Sequence, residues 1–272
     1  MMGIGGGIGG LGLGGFLLLL VLSWATGTNF FSFFSGGGAP ADTTGTAGQV
    51  SSTPAEERQV DFVDAVMRDV QDTWSQLLPN DYQPTRVVLF RDAINSGCGA
   101  AESATGPFYC PQDQRVYLDL GFFQELTDRF GAPGDFARAY VVAHEVGHHV
   151  QRLTGIERRA RSLQQARPSS ANAVSVEIEL QADCYAGVWG HAASQAGRAA
   201  QGKVELEAGD AEQGLHAAAA IGDDRLQRMS TGRVQPETFT HGSSAQRVAW
   251  FKKGMDAGAP GACDTFSART TQ

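Results

Sequence analysis

Two histidines four residues apart enclose a glutamate in the run His144-Glu145-Val146-Gly147-His148. On a helix, positions i and i+4 share a face, so both imidazoles can reach a single point. A divalent metal ion suits that point. Glu145 would then lie beside the ion, placed to take a proton from a metal-bound water. This is the zinc-hydrolase arrangement of the HExxH pattern. The flanking residues favour a helix. Phe136, Tyr140, Ala143 and Gly147 recur on one face, Asp135 is a candidate N-cap and Gly155 a candidate stop. The alternative is an amphipathic core helix with surface histidines. It would set two imidazoles and a carboxylate along an apolar stretch without partners, which is costly.

A catalytic zinc takes three protein ligands and keeps one position open. Gln151 and Thr154 stand where the metzincin extension requires Gly and His, so that source of a third ligand is excluded. The remaining source is a downstream helix expected over 174–193, where Val176, Leu180, Cys184, Gly187, Val188 and His191 recur at helical spacing. It carries Glu177, Glu179 and Asp183. Glu179 and Asp183 share a face, so one can bind the metal while the other accepts the free N–H of a ligating imidazole. Glu177 falls on a different face and reads as a solvated charge. His149 points away from the His144/His148 face, and His191 and His216 read as packing or surface residues.

These segments carry a resemblance. His144-Glu-Val-Gly-His-His-Val-Gln151 followed by Glu179-Leu-Gln-Ala-Asp-Cys-Tyr-Ala-Gly-Val-Trp189 resembles the bacterial putative neutral zinc metallopeptidase family, whose members are membrane-anchored. The likeness runs from about Val87 to Phe266 and includes Gly97-Cys-Gly-Ala, Gly106-Pro-Phe-Tyr-Cys-Pro, Ala219-Ala-Ile-Gly-Asp-Asp-Arg-Leu-Gln and Phe239-Thr-His-Gly-Ser-Ser-Ala-Gln-Arg247. The Glu-x-x-x-Asp spacing is also similar to that of membrane-associated gluzincin proteases. That resemblance implies Glu179 as the third zinc ligand and Asp183 as the residue behind it, although both carboxylates can ligate zinc. It further implies a role for His241, since such proteases carry a Thr-His segment with an Arg six residues later, here Arg247. Hydrolysis builds a negative oxygen that a nearby donor stabilises, and His241 is the candidate donor. A turn histidine bonded to backbone is the bland alternative, and Arg247 reads as a structural ion-pair partner.

The elements that must position these residues are partly legible. Thr53-Pro54-Ala55-Glu56 opens a helix that Phe62, Val63, Val66, Met67, Val70, Trp74 and Leu77 continue to Pro79. Thr85–Phe90 is a strand by β-branched content, and 106–110 with 115–119 flank Pro111-Gln-Asp-Gln114 as a hairpin. Asp119 is expected to cap a helix through Phe130. Val204–Met229 reads as one Ala-rich helix, with Asp223-Asp224-Arg225 as a surface charge cluster. Ser243-Ser-Ala-Gln246 can form a capping box for a last helix. The expected fold is α+β and zincin-like: a mostly helical catalytic domain with a small β-sheet, preceded by one transmembrane helix.

Composition bounds the rest. The chain has 272 residues and a net charge of −8, with no long basic run, which argues against nucleic acid as a partner. No charge precedes Asp42, and Leu11–Phe31 is long enough to cross a bilayer as a helix. A signal peptide would carry a basic n-region, so an uncleaved anchor is expected and a cleaved leader is the alternative. The division is then 1–34 membrane anchor, 35–53 flexible linker and 54–272 catalytic domain. A linker of that composition spans about 25 Å as a coil. The cysteines are Cys98, Cys110, Cys184 and Cys263. Their even number behind an anchor favours two disulfides, Cys98–Cys110 locally and Cys184–Cys263 across the fold. Four free thiols would require the cytoplasm instead. The expected protein is a single-pass membrane protein of the bacterial cell envelope with its catalytic domain extracytoplasmic. It would hydrolyse peptide or protein substrates with zinc, using Glu145 as general base. A non-catalytic zinc-containing envelope scaffold is the rival, and a zinc amidase a third reading. Oligomeric state is open.

Overall fold

Thr53 cannot continue a helix into Pro54, but it can start one. In the computed structural model, which describes residues 52–102 and 106–267, its side chain accepts from the Glu56 amide while Glu56 reaches back to the Thr53 amide. Helix α1, Pro54–Leu77, follows and buries Val63, Val66, Met67, Val70 and Trp74. Thr53 is the N-cap of this helix, as its sequence predicts. The expected anchor and the rest of the linker lie outside the described residues. Among the described residues no helix is long and apolar enough to cross a membrane.

The strands come next: β1 Arg86–Phe90, β2 Ala93–Ser96, β3 Gly99–Glu102, β4 Phe108–Cys110 and β5 Arg115–Asp119. β1 and β5 run parallel and β4 lies antiparallel to β5, giving a three-stranded sheet of order β1-β5-β4. β2 and β3 form a separate antiparallel pair. The Cys98–Cys110 disulfide ties the turn between β2 and β3 to the end of β4. Helix α2 is shorter than expected, Phe122–Asp128, and Asp119 does not cap it. The Asp119 carboxylate instead accepts the Gly121 N–H at 2.7 Å, closing the turn that precedes the helix.

The helical layer holds α3 Asp135–Leu153, α4 Ile156–Ala166, α5 Ala171–Ala193, α6 Asp210–Ala220, α7 Asp223–Thr231 and α8 Ser244–Ala257. Asp135 is the first residue of α3 rather than its cap. Gly134, at φ 111°, holds the cap position, and a side chain from α6, Gln213, accepts the Phe136 N–H at 3.2 Å. Gly155, at φ 77°, turns the chain out of α3. The single helix expected over 204–229 is absent: 204–209 is irregular, and α6 and α7 are broken at Ile221-Gly222. Gly222 packs against the start of α8 so closely that a Cβ there would lie 2.3 Å from the Ser244 nitrogen. The Ser243–Gln246 capping box opens α8.

α5 is the central helix, buried from Leu180 to Gly190. It crosses α8 at Gly187 and Gly254, where an added Cβ would lie 2.1 Å from the Phe251 carbonyl and 2.0 Å from the Cys184 carbonyl. The Cys184–Cys263 disulfide fastens the segment after α8 to the same helix. Trp189 stacks on Phe136 of α3 and donates to the buried Asp69 of α1 at 2.8 Å. A mostly helical fold with a small sheet is what the described residues form.

Candidate metal centre and its cleft

α3 and α5 can approach closely because α3 carries Gly147 where they cross. A Cβ there would stand 3.1 Å from the Ala182 carbonyl and 3.2 Å from its Cα. The approach brings Glu179 over the two imidazoles. Nε2 of His144 lies 3.2 Å from one Glu179 oxygen, and Nε2 of His148 lies 3.6 Å from the other. The ligand atoms of all three fall within 4.8 Å of one another, close enough to share one small cation.

Asp183, one turn further along α5, sits behind His144. Its carboxylate is fully buried and accepts from His144 Nδ1 at 2.9 Å, from the Tyr140 hydroxyl, and from Arg247 through both Nε and a terminal nitrogen at 2.9 Å. A fork of this kind satisfies both oxygens at once. The bond from Nδ1 fixes the imidazole so that Nε2 faces Glu179. Burial pushes the Asp183 carboxyl up, but the Arg247 charge and the His144 bond outweigh it and hold it low. Burial likewise opposes a charged His144, yet Asp183 and Glu179 raise it to about 10. Glu179 is held well below the ordinary carboxylate range, burial being outweighed by His148 and His144. A cation held by these atoms would require His144 without its Nε2 proton.

His148 is oriented differently. Its Nδ1 lies 2.9 Å from Gln151 Oε1 on the same helix. Gln151 spends its amide N–H groups on the Ile178 carbonyl at 2.7 Å and on Gln181 Oε1 at 3.1 Å. Gln181 in turn donates to the Cys263 carbonyl at 2.9 Å. A buried chain of amides thus runs from the disulfide-held tail to His148. In the sequence, Gln151 excludes a metzincin ligand and ends the segment that carries the family resemblance, and neither points to this bond. Its spacing of three from His148 was the available signal.

The triad opens on a cleft of about 610 Å³. Glu145 lies in its wall, buried, with its carboxyl raised by that burial. Phe108 and Tyr109 of β4 form another wall, and Phe122, Val141 and Leu226 an apolar one. His241 also lines the cleft, on the turn before α8. Its Nδ1 lies 3.1 Å from Asp223, and Nε2 is left for the cleft. Asp223 accepts in addition from the backbone N–H groups of Thr240, His241 and Gly242. Asp224 accepts from the Ser244 amide and hydroxyl, and Arg225 donates to the Phe130 carbonyl. Within the expected surface charge cluster, Asp223 and Asp224 therefore anchor the turn that carries His241 and the start of α8, while Arg225 ties α7 to the segment after α2. The acidic pair at the start of α7 was the only signal of these anchors.

The remaining candidates lie elsewhere. His149 is buried with Nε2 on the Gln83 carbonyl at 2.6 Å and Nδ1 on the Tyr109 hydroxyl at 3.0 Å. His191 donates to the Met255 carbonyl, and His216 is exposed. Glu177 is half-buried rather than solvated. Both expected disulfides are formed.

The donor set fits a catalytic zinc. Both Nε2 atoms are turned toward Glu179 because both Nδ1 positions are engaged, that one carboxylate completes the group, and the group lines an open cleft. A family model described as "Putative neutral zinc metallopeptidase" matches residues 1–266. The chain belongs to this zinc metallopeptidase family. Zinc is accordingly the metal assigned to the His144, His148 and Glu179 group. Similar members are the uncharacterized protein YpfJ of Escherichia coli strain K12 and the uncharacterized protein Rv2575 of Mycobacterium tuberculosis. The first is 50% identical over 220 residues, covering 79% of this chain and 74% of YpfJ. The second is 49% identical over 208 residues, covering 75% of this chain and 69% of the relative. No solved structure matches the chain.

Proposed function

We propose that the chain is a zinc-dependent peptidase of zincin-like fold. In this reading residues 1–34 tether it to the bacterial cell envelope and its catalytic domain lies outside the cytoplasm. The observation that carries the enzymatic reading is the convergence of His144, His148 and Glu179 within 4.8 Å, with Glu145 buried in the same cleft. The tether rests on the uncharged apolar stretch 11–31. The two disulfides support an oxidising compartment.

Held by His144, His148 and Glu179, zinc supplies Lewis-acid activation of a water and of the substrate carbonyl. Glu145 accepts a proton from the attacking water as its oxygen bonds to the carbonyl carbon. It then passes that proton to the amide nitrogen as the C–N bond breaks, leaving a carboxyl and an amine product. Asp183 and Gln151 keep the two imidazoles turned so that Nε2 faces the triad. His241 stands where it can donate to the oxygen that gains charge, with Asp223 keeping Nε2 toward the cleft. β4 is at the edge of its sheet and lines the cleft, so an extended peptide can bind by pairing with it.

The test is metal analysis of the purified full chain beside a peptide-library cleavage assay, for the wild type and Glu145→Gln. Stoichiometric zinc in both, with hydrolysis only in the wild type, is expected. Undiminished cleavage by the variant removes Glu145 as the base. A zinc-loaded wild type that cleaves no peptide leaves the scaffold reading in its place.

A further inference from the structure

Helix α3 continues for one turn past His148 and places Arg152 on the same face as His144 and His148. The reversal at Gly155 then lays α4 alongside, and Arg158 and Arg161 project beside Arg152. The three guanidiniums line a second cavity of about 290 Å³, together with Pro111, Gln112 and Glu157. Pro111 and Glu157 line the main cleft as well, so the two spaces share a wall. Only one carboxylate answers the three cations. Glu157 pairs with Arg152 at 3.6 Å and with Arg161, while Arg158 has no acidic partner among the described residues. This concentration of positive charge stands out in a chain of net charge −8.

Isolated surface arginines are solvated and mean little. These converge on a concavity that adjoins the metal triad, and their planar forks match a carboxylate in geometry as well as charge. We propose that Arg152, Arg158 and Arg161 form a subsite for a carboxylate of the bound peptide. The subsite rests on the peptidase reading and deepens it. One helical turn is about 5.4 Å, and an extended peptide advances about 3.3 Å per residue. That turn corresponds to about 1.6 extended residues, so the recognised carboxylate lies about two residues or a little more from the bond that is cut. It belongs either to an acidic side chain or to the peptide's own C-terminus. The first selects internal acidic sequences, and the second makes the enzyme trim short C-terminal fragments.

Binding separates this claim from catalysis. The full-length, zinc-loaded Glu145→Gln chain is titrated against fluorescent versions of one peptide, followed by anisotropy. One version is neutral and C-terminally amidated, one is neutral with a free C-terminus, and a third group is amidated with a glutamate two or three residues from the cleaved bond. At least one carboxylate version should bind about ten-fold or more tightly than the neutral amide, the size expected for a charge-assisted contact. That advantage should shrink with added salt and vanish in Arg158→Gln/Arg161→Gln. Arg161 is more than half exposed, so the fold does not depend on its charge. Which version gains identifies the source of the carboxylate. Equal affinities across the series, no binding at all, or an advantage that survives the double substitution overturns the subsite. Cleavage by the wild type without a carboxylate preference sinks the subsite alone. A carboxylate preference in binding without any cleavage sinks the peptidase reading alone.

Discussion

Three histidines line the cleft, and an aspartate holds Nδ1 of two of them, His144 and His241, but the two pairs are built differently. His144 and Asp183 are 5% and 0% exposed, and their support comes from Tyr140 on the same helix as His144 and from Arg247 on α8. His241 has about half its side chain exposed (51%), and the backbone amides of its own turn support Asp223. The first pair is fixed by side chains drawn from three helices. The second is fixed by one turn and the start of α7. A ligating imidazole must not move relative to its partner ligands, and a lattice across helices achieves that. The proposed role of His241 toward substrate requires that it be reachable, and a half-exposed position lining the cleft meets that requirement. The same Asp–His pairing is thus locked between helices in one place and left half-exposed in the other.

The comparison is broken most severely at Arg247. Arg247→Leu leaves Asp183 buried without its countercharge. Removal of one partner of a buried pair costs about 3–5 kcal/mol. Chemical denaturation of the purified chain should show a loss of that size, with zinc content falling. A loss under about 1 kcal/mol would mean that the lattice behind His144 is not what holds α3, α5 and α8 in place.

His241→Ala attacks the other pair. If His241 stabilises developing charge, hydrolysis should fall by about 10²–10³-fold, with zinc stoichiometry unchanged. Activity within a few-fold of wild type would reduce His241 to a turn residue. Asp183→Asn should have the opposite signature. It keeps the shape but weakens the hold on His144, and zinc affinity should drop by about 10–100-fold. Competition with a chelator reads this directly. Gln151→Ala tests the amide chain behind His148 by the same measurement. Its effect should fall at the lower end of that range, because a neutral amide polarises an imidazole less than a carboxylate does. If the two substitutions weaken zinc equally, the charge on Asp183 is not what distinguishes the two ligands.

What was legible in the sequence follows the same division. The His144/His148 spacing and the Glu179/Asp183 spacing are each internal to one helix, so local periodicity exposes them. That the two helices cross at Gly147 and Ala182, bringing Glu179 rather than Asp183 onto both imidazoles, is a tertiary fact. Only the family resemblance anticipated it. The caps at Thr53 and Ser243 were readable because donor and acceptor lie three residues apart. The start of α3 was not, since Gln213 from a distant helix supplies the acceptor that Asp135 was expected to provide. The break at Gly222 is equally hard to read in an Ala-rich run, since the close approach of Ser244, which leaves no room for a Cβ at 222, is a tertiary fact. Asp223 was misread for the same reason. An acidic pair looks like solvated charge until the turn at 240–242 folds over it.

The smallest expected effect concerns acid stability, and it returns to Asp223. Burial pushes this carboxyl up, but the His241 side chain, the amides of the turn and the His241 charge outweigh it and leave it below its ordinary value. A carboxyl depressed on folding stabilises the native state fully above its unfolded value, near 3.9. That contribution fades as pH falls through the lower, folded value. Asp223 in turn raises His241 above its ordinary 6.5, so the increment is complete only below that pH, where His241 is charged, and it declines again in stronger acid. Asp223→Asn removes the titrating group. The stability gap between wild type and variant should therefore widen as pH falls from alkaline values to about 6.5, stay flat down to about 4 and narrow below it. Denaturation midpoints across that range read the gap. A gap that stays constant into strong acid would show that the turn is held by neutral hydrogen bonds alone. The parallel between the two aspartate–histidine pairs would then be one of shape and not of charge.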